Sequence, residues 1–288
     1  MKGYFDISGD GGSNVVAQVK AKHARIATSL GRVRHMVAIG SGKGGVGKST
    51  LTMQLACALA ESGAAVAILD ADLNGPSQAR MAGLRSAPLL PGPDGLVVPR
   101  TASGIGVVSM GLLVPEAQAL DFDSVAQGDT YVWRATREFS LLGDLLAGVD
   151  WGALDYLLVD LPPGAERTLQ YAEFLGSGTA IVLVTIPSDL SRGVVSRSLG
   201  ALTKAQNRVL GYVENMKGYY CEGCRSIRPL FPESTTIDLG IASLGSVPFD
   251  PAVAAACDRG EPPRGEADGA TWRAVGDVAT RIRRALEG

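Results

Sequence analysis

A run of nine residues has the composition and spacing of a phosphate-binding loop. Residues 42–50 read Gly-Lys-Gly-Gly-Val-Gly-Lys-Ser-Thr and fit the template G-x-x-x-x-G-K-S/T, with an additional lysine at position 43. Glycines let the backbone N–H groups point at phosphate oxygens, and the N-terminus of the following helix adds partial positive charge. Lys48 is placed to reach the β- and γ-phosphates, and the Ser49 hydroxyl to bind Mg²⁺. The run predicts a nucleoside triphosphate site made of Gly42, Lys43, Gly44, Gly45, Val46, Gly47, Lys48, Ser49 and Thr50.

Polar residues that could complete this site follow three other apolar segments. One segment leads into Asp160, which we expect to hold the Mg²⁺ shell, and Gly164 shortly afterwards could place a backbone N–H near the γ-phosphate. A second segment leads into Asp70 and Asp72. Because phosphoryl transfer relies on positioning and charge, Asp72 is our candidate for orienting the attacking water or a water bound to Mg²⁺. Asn215 closes the third segment, where its amide could pair with the edge of adenine.

These residues need a scaffold that brings strand ends together. Short apolar segments alternate with helical stretches along the chain, and a helix is predicted at 51–61, directly after the loop. Strands buried on both faces indicate an α/β fold with a mostly parallel sheet and helices on both sides, where ligands lie at the carboxyl ends of the strands. The predicted strands are 36–39, 66–69, 105–109, 156–159, 180–185, 209–213 and 243–247.

No internal repeat or linker divides the chain. We predict a single P-loop NTPase domain over residues 15–288, preceded by a disordered stretch at 1–14 that is rich in Gly, Asp and Ser. Residues 217–240 contain two prolines and have weak periodicity, so we interpret them as an irregular insertion that projects from the sheet.

Composition excludes several functional classes. The formal net charge of −2 provides no global field that would attract nucleic acid or an acidic membrane. Four cysteines in 288 residues are too few for a disulfide framework, and no secretory signal opens the sequence. The longest apolar runs fall short of the roughly 20 residues that a transmembrane helix requires. We therefore expect a soluble cytoplasmic protein with no nucleic-acid or membrane partner.

Taken together, these motifs resemble the Mrp/ApbC family of ATP-binding iron–sulfur cluster carriers, in the branch of P-loop NTPases that includes MinD and the nitrogenase iron protein. The resemblance covers about residues 36–262 and rests on Lys43 and on the runs at 70–77, 133–134, 151–156, 160–164 and 214–216. It implies an ATP-dependent homodimer that serves apo iron–sulfur client proteins. It further implies that Lys43 reaches across to the partner's nucleotide and acts in catalysis with Lys48, that Asp72 acts in hydrolysis, and that Asn215 recognises the base.

The chain departs from the family pattern beside the predicted Mg²⁺ site. Where relatives commonly have Thr-Gly-Asp after Pro-Pro-Gly, this chain has Ala165, Glu166 and Arg167. Where Thr-Thr-Pro-Gln is usual, residues 185–188 read Thr-Ile-Pro-Ser. These differences concern hydrolysis and the communication between nucleotide and cluster more than nucleotide binding itself.

Cys221 and Cys224 form a C-x-x-C pair inside the predicted insertion. By spacing alone the pair could be half a zinc site, a redox dithiol or two incidental thiols. A two-fold dimer would supply four thiolates, the number that a [4Fe–4S] cluster or a tetrahedral zinc needs, and the family resemblance favours the [4Fe–4S] cluster. We expect Cys57, and similarly Cys257, to be small buried apolar residues.

Two other functions remain open at the level of sequence. A positioning ATPase of the MinD/ParA type would need no cluster, and an apolar stripe along residues 272–286 could lie on a membrane. Such a terminal helix more often closes the sheet, which is the interpretation that we favour. A maturation ATPase that inserts a different metal could use the same thiols.

Overall fold

The computed structural model describes residues 15–73, 75–84, 87–112, 130–188, 199–200, 202, 206–221, 223–224, 226–231, 239–263 and 269–288. The disorder predicted for residues 1–14, and residues 232–238 of the predicted insertion, lie outside these ranges. The helices are α1 (Val15–Ser29), α2 (Lys48–Glu61), α3 (Gln78–Met81), α4 (Thr130–Gly148), α5 (Ala165–Leu175), α6 (Pro251–Arg259) and α7 (Ala270–Glu287), with a 3₁₀ turn at Met110–Leu112.

The strands form two sheets in the described part of the chain. The main sheet contains β1 (Val33–Ser41), β2 (Val66–Asp70), β5 (Gly106–Val108), β7 (Leu154–Asp160), β8 (Ala180–Thr185), β9 (Val209–Cys221), β10 (Ser226–Pro229) and β11 (Ser243–Phe249). Six of them run parallel in the order β9-β8-β1-β7-β2-β5; β11 pairs parallel with β9, and β10 pairs antiparallel with it. A small sheet contains β3 (Leu90–Pro91), β4 (Leu96–Val97) and β6 (Val149–Asp150).

Successive residues of the central strands point to opposite faces of the sheet and pack into two different hydrophobic cores. In β1, Val37 and Ile39 pack with α2 and α7, whereas Ala38 belongs to the core that includes α4 and α5. Strands buried on both faces are the reason why the sequence shows continuous apolar runs rather than polar alternation. The predicted fold class, a mostly parallel sheet with helices on both faces, is confirmed.

The C-terminal helix covers one face of the sheet. Val275, Val278 and Ile282 of α7 are buried against α2 and β11. The interpretation that this stripe closes the sheet is confirmed, and its apolar surface is used in the core. None of the helices in the described ranges is long and apolar enough to cross a bilayer.

Strand β9 is longer than the sequence indicates. It continues past Val213, through Asn215, to Cys221, and β10 folds back against its end as a hairpin. The expectation of an irregular segment is therefore wrong for residues 217–221 and 226–229, which are strand. Met216 has φ 56°, a value that is uncommon for a residue with a side chain, and the pairing with β11 is irregular at this point.

Candidate functional site: a phosphate loop, a base cleft and a cysteine hairpin

The phosphate loop joins β1 to α2 and surrounds a cleft. Gly45 and Gly47 have φ values of 76° and 77°, in the left-handed region that favours glycine. A Cβ on Gly47 would also lie 2.3 Å from Asn215 Nδ2, so that position has no room for a side chain. The cleft has a volume of about 220 Å³ and is lined by the loop together with Asp72 and Pro163. All nine predicted loop residues are therefore gathered between β1 and the first turn of α2.

Lys48 and Asp160 form a buried ion pair beneath the loop. Lys48 is 6% exposed and Asp160 is fully buried at the end of β7. The Lys48 Nζ contacts Asp160 Oδ1 and donates to Ser49 Oγ at 3.3 Å. The Thr52 hydroxyl donates to the Lys48 carbonyl at 3.0 Å and lies 3.4 Å from Asp160 Oδ1. The lysine predicted to reach phosphates and the aspartate predicted to hold the Mg²⁺ shell are thus direct neighbours.

A glutamine that sequence reasoning missed holds the other oxygen of Asp160. Gln78 begins α3 and is completely buried. Its Nε2 donates to Asp160 Oδ2 at 2.8 Å and to the Ser49 carbonyl at 3.0 Å. Its Oε1 has no hydrogen-bond partner among the described residues. The sequence signal was weak, because a glutamine at the start of a four-residue helix is ordinarily a solvated residue.

The two aspartates after β2 have different environments. Asp70 lies beside Asp160 in the sheet register and accepts hydrogen bonds from the backbone N–H groups of Ser77 and Gln78 and from the Ser109 hydroxyl. Burial, and then the charge of Asp160, raise the pKa of Asp70 to about 7. Asp70 therefore shapes the turn after β2.

Asp72 lines the phosphate cleft, as its predicted role requires. Burial raises the pKa of its carboxyl, and the nearby Lys48 opposes that shift. A carboxylate held this close to the phosphate loop can accept a hydrogen bond from a water in the cleft.

Gly164 precedes α5 with φ 121°, and its N–H donates to the Ser41 carbonyl at 2.9 Å. A contact between this N–H and a γ-phosphate remains a prediction, since it would require that bond to open. Arg167, which replaces an aspartate common in the family, donates Nη2 to Glu138 Oε2 at 2.6 Å. Glu138 is 1% exposed and the Arg167 side chain 25%, so the arginine at this departure forms a partly buried ion pair between α5 and α4.

A second cleft of about 260 Å³ adjoins the loop and shares Gly47 and Thr50 with the first. Asn215 lies in its wall and donates Nδ2 to the Val46 carbonyl at 2.8 Å. Thr271 also lines it, and its buried Oγ1 has no hydrogen-bond partner among the described residues. The position suits a nucleotide base whose phosphates occupy the neighbouring cleft, although base recognition by Asn215 remains a prediction.

The oxygen atoms available as ligands at the loop suit a magnesium ion. Mg²⁺ prefers carboxylate, hydroxyl and water oxygens, and usually keeps several waters beside substrate phosphates. The Ser49 hydroxyl and the Asp160 carboxylate both contact Lys48 Nζ. The buried Gln78 Oε1 lacks a hydrogen-bond partner in the described part of the chain. The residues present therefore match the hard cation that the loop motif implies.

The cysteine pair lies on the hairpin of β9 and β10, away from the loop along the chain. Cys221 ends β9, and Cys224 is exposed in the turn. The Cys224 Sγ lies 3.0 Å from Ser226 Oγ and accepts a hydrogen bond from Arg228 Nη2 at 3.5 Å. The Ser226 hydrogen bond, followed by those of Arg228 and Cys221, lowers the pKa of Cys224 to about 6. Thiolates are the form that binds metals.

The other two cysteines differ from one another. Cys57 lies on α2 and is fully buried in the core, which confirms the expectation for that residue. Cys257 is only partly buried; it packs against the same core and also lines the base cleft, so the expectation of a small buried residue holds only in part. Burial raises the pKa of its thiol.

The parallel sheet and the phosphate loop define a P-loop NTPase. A family model described as ParA, NUBPL iron-transfer P-loop NTPase, matches residues 32–283. The chain belongs to this family.

Relatives cover most of the chain. An iron-sulfur cluster carrier protein of Saccharolobus solfataricus is 36% identical over 85% of this chain and 81% of its own length. A cytosolic Fe-S cluster assembly factor CFD1 of Chaetomium globosum is 38% identical over 82% of this chain and 81% of its own length.

Solved structures agree with this assignment. A nucleotide-binding protein of Archaeoglobus fulgidus, in complex with ADP, is 30% identical with a TM-score of 0.71, and the match covers 87% of this chain and 95% of that one. The septum site-determining protein MinD of Pyrococcus horikoshii, complexed with Mg-ADP, has a TM-score of 0.63 at 22% identity over 88% and 97% of the two chains, which shows a shared fold.

Proposed function

We propose that this protein hydrolyses ATP and carries a [4Fe–4S] cluster held between two copies of the chain. One observation carries the proposal: β9 runs from Asn215 at the base cleft to Cys221, next to Cys224 at the hairpin turn. The nucleotide cleft and the thiols are thereby attached to one continuous strand. The relatives named as cluster carriers and assembly factors support this choice of cargo.

The nucleotide half of the proposal assigns roles to residues of the loop. Backbone N–H groups and Lys48 hold the phosphates, and Lys48 leaves Asp160 to do so. Ser49, and Asp160 through water, would hold Mg²⁺, which neutralises charge on the phosphate oxygens. Asp72 orients the water that attacks the γ-phosphorus, so that ATP and water give ADP, phosphate and a proton.

The cargo half assigns Cys221 and Cys224 as thiolate ligands. With its pKa lowered to about 6, Cys224 is largely thiolate at neutral pH, which is the form that accepts iron. Two copies supply the four thiolates of a [4Fe–4S] cluster. In the same dimer, Lys43 reaches the partner's nucleotide, and the exposed position of Cys224 leaves the cluster accessible to apo client proteins.

Anaerobic reconstitution tests the proposal. Wild-type protein should take up about four irons per dimer, by the stoichiometry of a four-thiolate cluster. Cys221→Ser and Cys224→Ser should lose the cluster, because each change removes two of four ligands from the dimer. Cys257→Ser and Cys57→Ser are matched controls that should retain it.

Two outcomes would contradict the cluster. Full iron and unchanged visible absorbance in Cys221→Ser would exclude this pair as the ligands. A colourless protein with one zinc per dimer would show that the cysteines bind a structural zinc and not a cluster. ATP affinity, measured in parallel, should survive the changes at Cys57, Cys221 and Cys224, because none of these residues lines the two nucleotide clefts.

A further inference from the structure

Gln78 is a buried amide at the centre of the nucleotide site. It has no exposed surface, and three of its hydrogen bonds reach groups of that site. Its backbone N–H donates to Asp70 Oδ2 at 3.0 Å, and its Nε2 donates to Asp160 Oδ2 at 2.8 Å and to the Ser49 carbonyl at 3.0 Å. The side chain therefore joins the two residues expected to hold Mg²⁺, one on α2 and the other at the end of β7.

The other end of the same amide lacks a partner. Gln78 Oε1 is buried without a hydrogen bond from any described residue. Leaving such an oxygen unsatisfied costs about 1–3 kcal/mol. The unsatisfied oxygen belongs to the same amide group whose nitrogen contacts the Asp160 carboxylate.

We infer that Gln78 is a positioning residue for magnesium: its Nε2 holds Asp160 against Ser49, and its Oε1 accepts a hydrogen bond from a water of the Mg²⁺ shell. When Lys48 turns to the phosphates, Asp160 Oδ1 becomes free while Gln78 keeps Oδ2 in place. Gln78 then sets how strongly Mg²⁺ improves nucleotide affinity. The inference rests on the nucleotide half of the proposed function and is independent of the cluster.

Nucleotide affinity with and without Mg²⁺ separates this role from a merely structural one. We would measure binding of a fluorescent ADP analogue in EDTA and over a series of Mg²⁺ concentrations, for wild type, Gln78→Leu and Gln78→Met. Gln170→Leu, the same change on α5, is the control; that glutamine contacts Glu166 at 3.5 Å. Two apolar replacements are included so that a packing failure in one does not decide the result.

In EDTA the Gln78 variants should bind ADP as wild type does. The Mg²⁺ concentration that gives half of the affinity gain should rise about tenfold, the effect of one hydrogen bond in a charged setting. The urea midpoint of the nucleotide-free variants should fall, because the buried Asp160 carboxylate and the Ser49 carbonyl lose their Nε2 donor, so the Mg²⁺ dependence and not stability is the deciding readout. Gln170→Leu should change neither quantity.

Three results would overturn the inference. The dependence of ADP affinity on Mg²⁺ could be the same in wild type and in both Gln78 variants. ADP affinity could also be independent of Mg²⁺ in the wild type. ADP affinity could also fall equally with and without Mg²⁺, which indicates a structural brace. A wild-type protein that binds no nucleotide would overturn the proposed function as well, so the two failures can be told apart.

Discussion

Replacing Lys48 by methionine should destabilise the nucleotide-free protein in addition to weakening nucleotide binding. Methionine keeps most of the buried stem and removes the charge, which leaves Asp160 buried without its ion-pair partner. Removing one member of a buried pair costs about 3–5 kcal/mol. Gln78 still donates to the carboxylate, so we expect the lower end, about 3 kcal/mol.

Urea unfolding followed by far-UV circular dichroism, in EDTA and without nucleotide, measures this loss. In a thermal scan under the same conditions, at about 2–4 °C per kcal/mol for a domain of this size class, the melting temperature should fall by about 6–12 °C. Adding Asp160→Asn to Lys48→Met should restore at least half of the free energy of unfolding that Lys48→Met loses, because the unpaired charge is then removed.

Lys43→Met is the matched control for this experiment. It changes the same residue type in the same loop, at a lysine that forms no ion pair with the described residues, and we expect its unfolding to match wild type. If Lys48→Met unfolded at the same urea concentration as wild type, the buried pair could not be the form present in solution.

Three further predictions concern neighbouring residues. Asp72→Asn should retain ATP binding and slow turnover about 100-fold or more, as measured by phosphate release beside a binding titration; wild-type turnover would exclude its role in orienting water. Lys43→Ala should weaken ATP-dependent dimerisation measured by light scattering, and an unchanged dimer would contradict action across the interface. Asp70 has a pKa raised to about 7 in the folded protein from its ordinary 3.8, so the folded state binds the proton more tightly and this group lowers stability as pH rises from about 4 to about 7. The urea midpoint of the wild-type protein should therefore fall between pH 5 and pH 8, and Asp70→Asn should make this fall smaller. An unchanged fall would show that another group titrates.

The features that the sequence predicted are those specified by local patterns. The phosphate loop follows from glycine and lysine spacing, and the buried stripe at Val275 and Val278 follows from helical periodicity. Features set by distant neighbours were missed. The extension of β9 depends on pairing with β10 and β11, and the contact of Gln78 with Asp160 joins residues 82 positions apart. Neither pairing leaves a periodic signal in its own segment.

The course of β9 also determines how a backbone change beside Asn215 could displace the cysteine pair. Asn215 and Cys221 are six residues apart, roughly 20 Å at the usual strand rise of about 3.3 Å per residue. The irregular backbone at Met216 lies just after Asn215, at the near end of this span. A small rotation at Met216 would swing the thiols through an arc whose radius is the length of the hairpin. In the proposed dimer the two-fold axis would give both hairpins equal displacements, so any change in the distance of the thiols from that axis would change the separation of the two cysteine pairs by twice that amount.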